Sequence, residues 1–487
     1  MLDNRELTYL PHWLCDKGLM FFGVAFGLCT LLFFNYTMEF RFAAVSILSV
    51  LLFFGLGQVL SKRWVWMDER KFVQAIFLCG FFIRLCWVIY AYYFNIDYYG
   101  KALGDGADTE WYMPTAQAGV EAIKSGKWNF WEVMRNDWLA AVDDMGYPLF
   151  LMIEYLFVGN FSDVFVPFLV KAVMSAYCAI FIYHVARVHF GEGVGRIAAY
   201  FVMLNPNMIY WCGTMFKEPE MVFFTCWFFY LMDSALSSEK ITVARVLPAA
   251  LVGMYLFLFR SALGLVAFAA VLMSVVFTSQ RVLSWGKKVF AGVMVAGLLL
   301  VGMGENLQTQ TESISRSLHS NEQTVNMQWR SERKDATGRQ NKLIAKYATA
   351  TVFAPLIFTI PFPTFTQADS GQILQQMLSG GSYIKNILSF FVILVMFIFL
   401  FSGEWRKHVF IIAFTCGYLV ALVFSNFAHS GRFHMPVIPM LMMFAAYGIS
   451  IANNRPKFQR WFLYVCFIEV AACVVWNWFK LAGRGMI

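Results

Sequence analysis

The sequence predicts an all-α polytopic membrane protein with about thirteen transmembrane helices and further juxtamembrane helices on the outer face. The 487-residue chain is 59% hydrophobic, 18% aromatic and only 14% charged, and its mean hydropathy is +0.59. Soluble globular domains are far more polar than this. Many apolar runs approach the ~20 residues that a helix needs to cross a bilayer, where each backbone polar group must be satisfied inside the protein.

Hydropathy defines the individual apolar runs. They fall at about 18–36, 42–60, 72–95, 164–186, 195–212, 219–236, 246–259, 262–279, 288–303, 383–402, 409–426, 434–452 and 461–479. Arg260 divides two of these runs, which could instead form one long kinked element. A further apolar run after Pro148 ends at Val158; it is too short to span and is typical of an interfacial helix.

Positive charge predicts the orientation of the chain. With the N-terminus in the cytoplasm, every short loop on the inner side carries Lys or Arg, as the positive-inside rule requires. Those loops are 61–71, 187–196, 237–245, 280–288, 403–408 and 453–460. The net charge of +8 therefore reflects topology. Membrane lipids are expected partners, and nucleic acid is not.

The chain is predicted to divide into four segments. They are two extra N-terminal transmembrane helices (1–71), a transmembrane core (72–303) with an outer acidic loop (96–163), an outer loop with an interfacial or re-entrant element (304–382), and C-terminal transmembrane helices (383–487). The basic stretch 304–346 could contact headgroups, pyrophosphate or an anionic glycan, or be a mobile polar loop. Pro361 and Pro363 make the apolar residues beyond it unsuitable for a spanning helix.

The most unusual polar stretch is Gly104–Tyr112, on the predicted outer face. It places Asp105, Asp108 and Glu110 beside two aromatic rings. We interpret Asp105 as a catalytic base and Asp108 as its partner. The alternative is a solvated loop whose acids cap a helix.

A series of short motifs accompanies this stretch in chain order. They are Arg84 within a span, Asp-x-x-Asp-x-x-x-Tyr at 105–112, Gly146-Tyr147-Pro148-Leu149-Phe150, Asn205-Pro206, Lys217-Glu218, Arg260, and Gly431-Arg432-Phe433-His434-Met435-Pro436. The series resembles the GT-C superfamily of membrane glycosyltransferases, in particular the bacterial, polyprenyl-phosphate-sugar-dependent branch that includes protein mannosyltransferases and aminoarabinose transferases. The resemblance covers residues 72–452, and the two extra N-terminal spans depart from the simplest family pattern.

The resemblance implies a GT-C-like catalytic core in 72–303, on the outer face of a bacterial inner or plasma membrane. The donor would be a sugar on an isoprenoid phosphate, and an acceptor hydroxyl on a glycan, lipid or protein would attack with inversion. Asp105 would take the proton of that hydroxyl. A divalent metal, Mg²⁺ or Mn²⁺, would suit the oxygen ligands of Asp105 and Asp108, but the family is mixed in its use of metal.

Several cations are candidates to bind the donor phosphate. Arg432 lies at the outer membrane boundary between His429 and His434, and arginine makes bidentate contacts with phosphate. A snorkelling arginine is the alternative for Arg432 and for Arg260. Arg84 lies near the middle of its span, where a charge either serves function or forms a structural ion pair.

Tyr112, Tyr147, Lys217, Glu218 and Glu220 are predicted to line the site. The last three would form a charged cluster at its outer mouth. The alternative for the two glutamates is that acids at a helix start favour the helix dipole.

Two other classes of function remain open. A lipid-linked polysaccharide polymerase or an O-antigen-ligase-like enzyme would use Arg and His against an isoprenoid diphosphate. A transporter or flippase would be expected to show internal repeats or paired broken helices. No convincing repeat is visible, and the charged groups gather at one face.

Overall fold

The computed structural model describes most of the chain. The described residues are 7–103, 107–138, 144–159, 163–238, 242–277, 356–367, 373–424, 430–483 and 486–487. Asp105, His429, the apolar run 288–303 and the basic stretch 304–346 lie outside them. Within the described residues the secondary structure is helical, apart from one isolated antiparallel bridge between Thr37 and Thr366.

Seven helices of the described chain are long and apolar enough to cross a membrane. They are His12–Leu32, Phe40–Arg63, Glu69–Tyr99, Phe165–Phe190, Gln376–Ser402, Met435–Asn453 and Pro456–Ala482. Shorter apolar helices are Gly146–Val158, Val243–Phe259, Ser261–Phe277 and Val409–Val423. The prediction of an all-α membrane protein is confirmed, whereas the count of about thirteen spans is not.

The run 195–212 illustrates why long apolar runs do not always become spans. It begins in the helix Glu192–Met203 and is interrupted at Asn205-Pro206. A helix of this length rises only about 18 Å, against a hydrocarbon core of about 30 Å. Pro206 lacks an N–H and disfavours helical geometry in the residue before it. The Asn205 side chain caps the short helix Pro206–Tyr210 that follows.

The chain forms two compact units. The central unit is Trp66–Val271, and the terminal unit combines Met1–Val65 with Leu272–Ile487. The central unit contains α3 (Glu69–Tyr99), α4 (Ala107–Lys124), α5 (Phe130–Trp138), α6 (Gly146–Val158), α7 (Phe165–Phe190), α8 (Glu192–Met203), α9 (Pro206–Tyr210), α10 (Glu218–Ser237) and α11 (Val243–Phe259), and α12 (Ser261–Phe277) begins in it. The terminal unit contains α1 (His12–Leu32), α2 (Phe40–Arg63), α13 (Ser379–Ser402), α14 (Val409–Phe424), α15 (Ile438–Asn453) and α16 (Pro456–Gly483).

Helix α7 is the central element of its unit, since it packs against α3, α8 and α10. The amphipathic helix α4 packs against both α5 and α6. Buried Val120, Met134, Met152 and Phe168 belong to the apolar core that these helices share with α7. This packing holds the first residues of α6 and α10 in fixed positions.

Gly146, the first residue of α6, allows that helix to begin directly against the end of α11. A Cβ atom at this position would lie 2.9 Å from the carbonyl carbon of Leu258 and 3.0 Å from the backbone nitrogen of Phe259. The hydroxyl of Tyr255 donates a hydrogen bond of 2.7 Å to the Gly146 carbonyl. A larger residue at 146 would therefore push apart the two helix ends that carry Tyr147 and Arg260.

The terminal unit encloses a stretch of extended backbone, residues 360–366. Asn477 of α16 accepts from the Phe365 N–H at 2.8 Å and donates to the Pro363 carbonyl at 3.1 Å. Ser379 and Asn386 of α13 donate to carbonyls of the same stretch. Non-helical backbone can lie at membrane depth only where protein groups satisfy it, and these side chains do so.

Candidate active site

The predicted site-lining residues of the central unit meet where α6 and α10 begin. Tyr147 is the second residue of α6, and Glu218 and Glu220 lie in the first turn of α10. Tyr112 of α4 packs its ring perpendicular to that of Tyr147, with 5.1 Å between the centroids. All four side chains are buried. Residues chosen from separate sequence motifs are thus brought into one cluster.

Lys171, from α7, joins the aromatic and acidic parts of this cluster. Its Nζ lies 4.2 Å from the centroid of the Tyr147 ring and 3.0 Å from each carboxylate oxygen of Glu220. It also donates to the backbone carbonyl of Phe216. The ammonium group therefore has a carboxylate, an aromatic face and a carbonyl around it, which offsets the cost of burying its charge.

Two further cation–carboxylate pairs lie at the same end of the central unit. Lys217 forms an ion pair with Asp144, and its Nζ donates a hydrogen bond of 3.0 Å to the carbonyl of Phe259, the last residue of α11. Arg260 follows in extended backbone, and its Nη2 lies 3.5 Å from Oε1 of Glu218. Lys217 thereby satisfies one of the carbonyls that a helix end leaves without an intrahelical partner.

The charged groups of this cluster are of the kinds that bind anions and transfer protons. Each of its cations faces a carboxylate, so an incoming phosphate would compete with that carboxylate for the guanidinium or ammonium group. The contact between Arg260 and Glu218 is the longest of the three pairs, at 3.5 Å.

The acidic stretch reaches this cluster through α4. Asp108 lies in α4, one helical turn before Tyr112. The side chain of Asp108 and all of Asp105 lie outside the described part of the structure. Within the described part, no group of three or more His, Cys, Asp or Glu residues is arranged to hold a metal ion. A metal at Asp105 and Asp108 remains a prediction.

Glu154 lies on α6 and brings a carboxyl group near the Lys171–Glu220 pair. Both of its carboxyl oxygens are buried, and neither has a hydrogen-bond partner among the described residues. Helix α6 is too short to span a membrane. Burial and the nearby charge of Glu220 raise the pKa of Glu154 from 4.5 to about 8. This carboxyl group therefore keeps its proton at neutral pH.

Arg84 is surrounded by hydrogen-bond acceptors of the central unit. It is completely buried, and its guanidinium donates to the carbonyls of Val202 and Met203 at 3.3 and 2.9 Å and to the Ser175 hydroxyl at 2.8 Å. The two carbonyls belong to the last residues of α8, where the helix dipole is negative. These contacts support a structural role for Arg84, and donor-phosphate binding by Arg84 remains a prediction.

Arg432 and His434 belong to the terminal unit and are described within it. His434 is fully buried just before α15, and its Nδ1 lies 2.9 Å from the Nζ of Lys385 on α13. Lys385 also donates to the carbonyl of Ile360. Arg432 is half-buried in the turn two residues earlier. Phosphate binding by Arg432 and His434 remains a prediction.

Sequence reasoning missed several buried ionisable residues. Lys171, Glu154, Lys385 and Glu469 each stand inside an apolar run, and in the structure Glu469 accepts a hydrogen bond of 3.2 Å from Asn386. The rule that drew attention to Arg84, that a charge inside an apolar run needs a partner or a role, applies equally to them.

Comparison with known proteins does not place the chain in a family: no protein-family model matches it, and no curated protein does. The candidate site therefore depends on the residues and contacts given above.

Proposed function

We propose that this protein is an integral membrane glycosyltransferase. It would move a sugar from an isoprenoid-phosphate donor to an acceptor hydroxyl on the outer face of the membrane, with inversion at the anomeric carbon. The observation that supports this most is the convergence of Tyr112, Tyr147, Lys217, Glu218 and Arg260 at one end of the central unit.

These residues supply what such a transfer needs. Lys217 and Arg260 can stabilise the phosphate as it leaves, and they lie in a poorly solvated cluster where charge interactions are strong. Tyr112 and Tyr147 place two buried aromatic rings at the same end of the central unit. Because Asp108 precedes Tyr112 by one turn of α4, the acidic stretch is joined directly to the cluster.

The proposed transfer joins the acceptor oxygen to the anomeric carbon and releases the isoprenoid phosphate. The Asp105 carboxylate accepts the proton of the acceptor hydroxyl as that oxygen bonds to the anomeric carbon. The bond between the anomeric carbon and the donor phosphate oxygen breaks, and its electron pair leaves with the isoprenoid phosphate. Lys217 and Arg260 are the candidate cations of the central unit for the charge on that product.

The test uses the full chain in lipid nanodiscs with radiolabelled hexosyl and pentosyl polyprenyl phosphates. Asp105→Asn keeps the shape of the side chain and removes the base, so transfer should fall by about 10²–10⁴-fold while donor binding persists. Asp97→Asn, an exposed acid on the same predicted face, is the matched control and should keep full activity. Transfer near the wild-type rate by Asp105→Asn would refute the assignment.

The alternatives give different results in the same assay. A lipid-linked polysaccharide polymerase or ligase would tolerate Asp105→Asn and lose activity with Arg432→Ala. A transporter or flippase would show no glycosyl transfer. If EDTA abolishes transfer and Mg²⁺ or Mn²⁺ restores it, a divalent metal belongs to the site.

A further inference from the structure

The terminal unit contains an apolar groove between α1 and α2. It consists of a cavity of about 820 Å³ and a deeper one of about 270 Å³, which share Phe26, Ile47 and Leu51 in their walls. The walls of the deeper cavity are entirely apolar: Leu19, Phe22, Gly23, Phe26, Ile47, Val50 and Leu51. Helices α1 and α2 are both long and apolar enough to cross a membrane, and in that position the groove would face hydrocarbon.

The groove has the length of one leaflet. Its walls on α1 run from Leu19 to Thr30, which is about 17 Å of helix at 1.5 Å per residue. Half of a hydrocarbon core of about 30 Å is about 15 Å. Bulky apolar side chains beside the wide end, Leu31, Phe34 and Phe40, are exposed, as residues in contact with lipid would be. The groove therefore fits one extended lipid chain.

The polar wall residues cluster at the wide end. Thr37, Glu39 and Gln367 form this rim. It is fixed by the bridge between Thr37 and Thr366 and by a hydrogen bond of 2.9 Å from the Gln367 N–H to the Tyr36 carbonyl. A groove with an apolar floor and a fixed polar rim matches a molecule with one apolar tail and a polar head.

The charge of the rim indicates which class of lipid headgroup the groove would bind. Among the wall residues that the structure describes, Glu39 is the one with an ionisable side chain. It directly precedes α2, and its side chain makes no capping hydrogen bond to that helix. A carboxylate at this position favours a headgroup with an amine and repels a purely anionic one.

We propose that the groove binds one glycerophospholipid with an ethanolamine headgroup. One acyl chain would lie between Leu19 and Thr30, and the ammonium group would face Glu39. Thr37 and Gln367 offer hydrogen bonds to the glycerol and phosphate oxygens. This site is separate from the proposed sugar transfer and does not depend on it.

The test measures lipid retention by native mass spectrometry of the full chain. The protein is released from nanodiscs that contain equal amounts of phosphatidylethanolamine and phosphatidylglycerol, with a small fraction of polyprenyl phosphate. Gly23→Leu fills the deep cavity, because a Cβ atom there meets nothing within 4 Å. Gly27→Leu is the matched control: it lies one turn away on α1, its Cβ is equally free, and it lines neither cavity.

Wild type and Gly27→Leu should each retain one phosphatidylethanolamine, whereas Gly23→Leu should bind it about tenfold more weakly. Glu39→Gln should still retain a lipid, but its preference for ethanolamine over glycerol headgroups should fall about fivefold. Retention of phosphatidylglycerol or polyprenyl phosphate by the wild type would overturn the proposal. Equal losses in the two glycine variants, or no retained lipid, would do the same.

Discussion

The ammonium nitrogen of Lys171 lies 3.0 Å from both carboxylate oxygens of Glu220, and both side chains are buried. A charge pair of this kind is costly to bury but far more costly to break, because the remaining partner is left as an isolated charge. It holds α7 to α10 at the place where the candidate site is built.

Lys171→Met should destabilise the protein by about 3–5 kcal/mol, because Glu220 is left buried without its cation. The double variant Lys171→Met with Glu220→Gln should recover most of that loss, since no unpaired charge remains. Thermal unfolding in detergent, followed by intrinsic fluorescence, measures both. If the double variant is as unstable as the sum of the two single ones, the pair is not coupled.

The buried carboxyl group of Glu154 should make the stability of the protein depend on pH. Its pKa rises from 4.5 to about 8 on folding, so between these values the folded state binds a proton that the unfolded state has lost. The contribution of Glu154 to stability should therefore be fully present below pH 4.5 and be lost as the pH rises through about 8. The side chain in Glu154→Gln has no proton to lose. As the pH rises, the unfolding midpoint of this variant should therefore increase relative to that of the wild type.

The matched control for this pH series is Glu121→Gln, which changes an exposed acid of α4. Its unfolding midpoint should run parallel to that of the wild type. Parallel curves for Glu154→Gln as well would mean that Glu154 is ionised in the folded protein.

Gly146→Ala should cost about 1–3 kcal/mol, because its Cβ would meet the Leu258 and Phe259 backbone at 2.9–3.0 Å and the helix ends must separate. Glycosyl transfer should fall with it, since Tyr147 moves away from Lys171. Gly27→Ala makes the same chemical change where a Cβ atom meets nothing within 4 Å, and it should not destabilise the protein. A variant at 146 with native stability would show that the backbones can separate freely.

The orientation of the membrane spans can be tested with single cysteines in a cysteine-free background. Ser125 and Ser237 are both exposed and both belong to the central unit. The distribution of Lys and Arg predicts that Ser125→Cys reacts with an impermeant thiol reagent added outside cells and that Ser237→Cys does not. The reverse pattern would move the proposed chemistry to the cytoplasmic side.

Hydropathy predicted the long helices well, because a chain in hydrocarbon must satisfy its backbone hydrogen bonds internally, and a helix does so within one segment. Hydropathy could not predict that the helix in the run 195–212 would end before Pro206. A proline kinks a helix in some surroundings and ends it in others. The residues at 112, 147, 218 and 260 were chosen from sequence motifs, but the contacts that they make could not be predicted. Lys171 and Glu220 are 49 residues apart, and only the packing of α7 on α10 makes them partners.

The extended stretch 360–366 has a consequence for the order of synthesis. The Phe365 N–H is satisfied by Asn477, which the ribosome adds 112 residues later. Until α16 has been made and inserted, these backbone groups need other partners, such as water, lipid headgroups or an insertion factor. A chain arrested before residue 477 should therefore leave this stretch open to protease, and completion of α16 should close it.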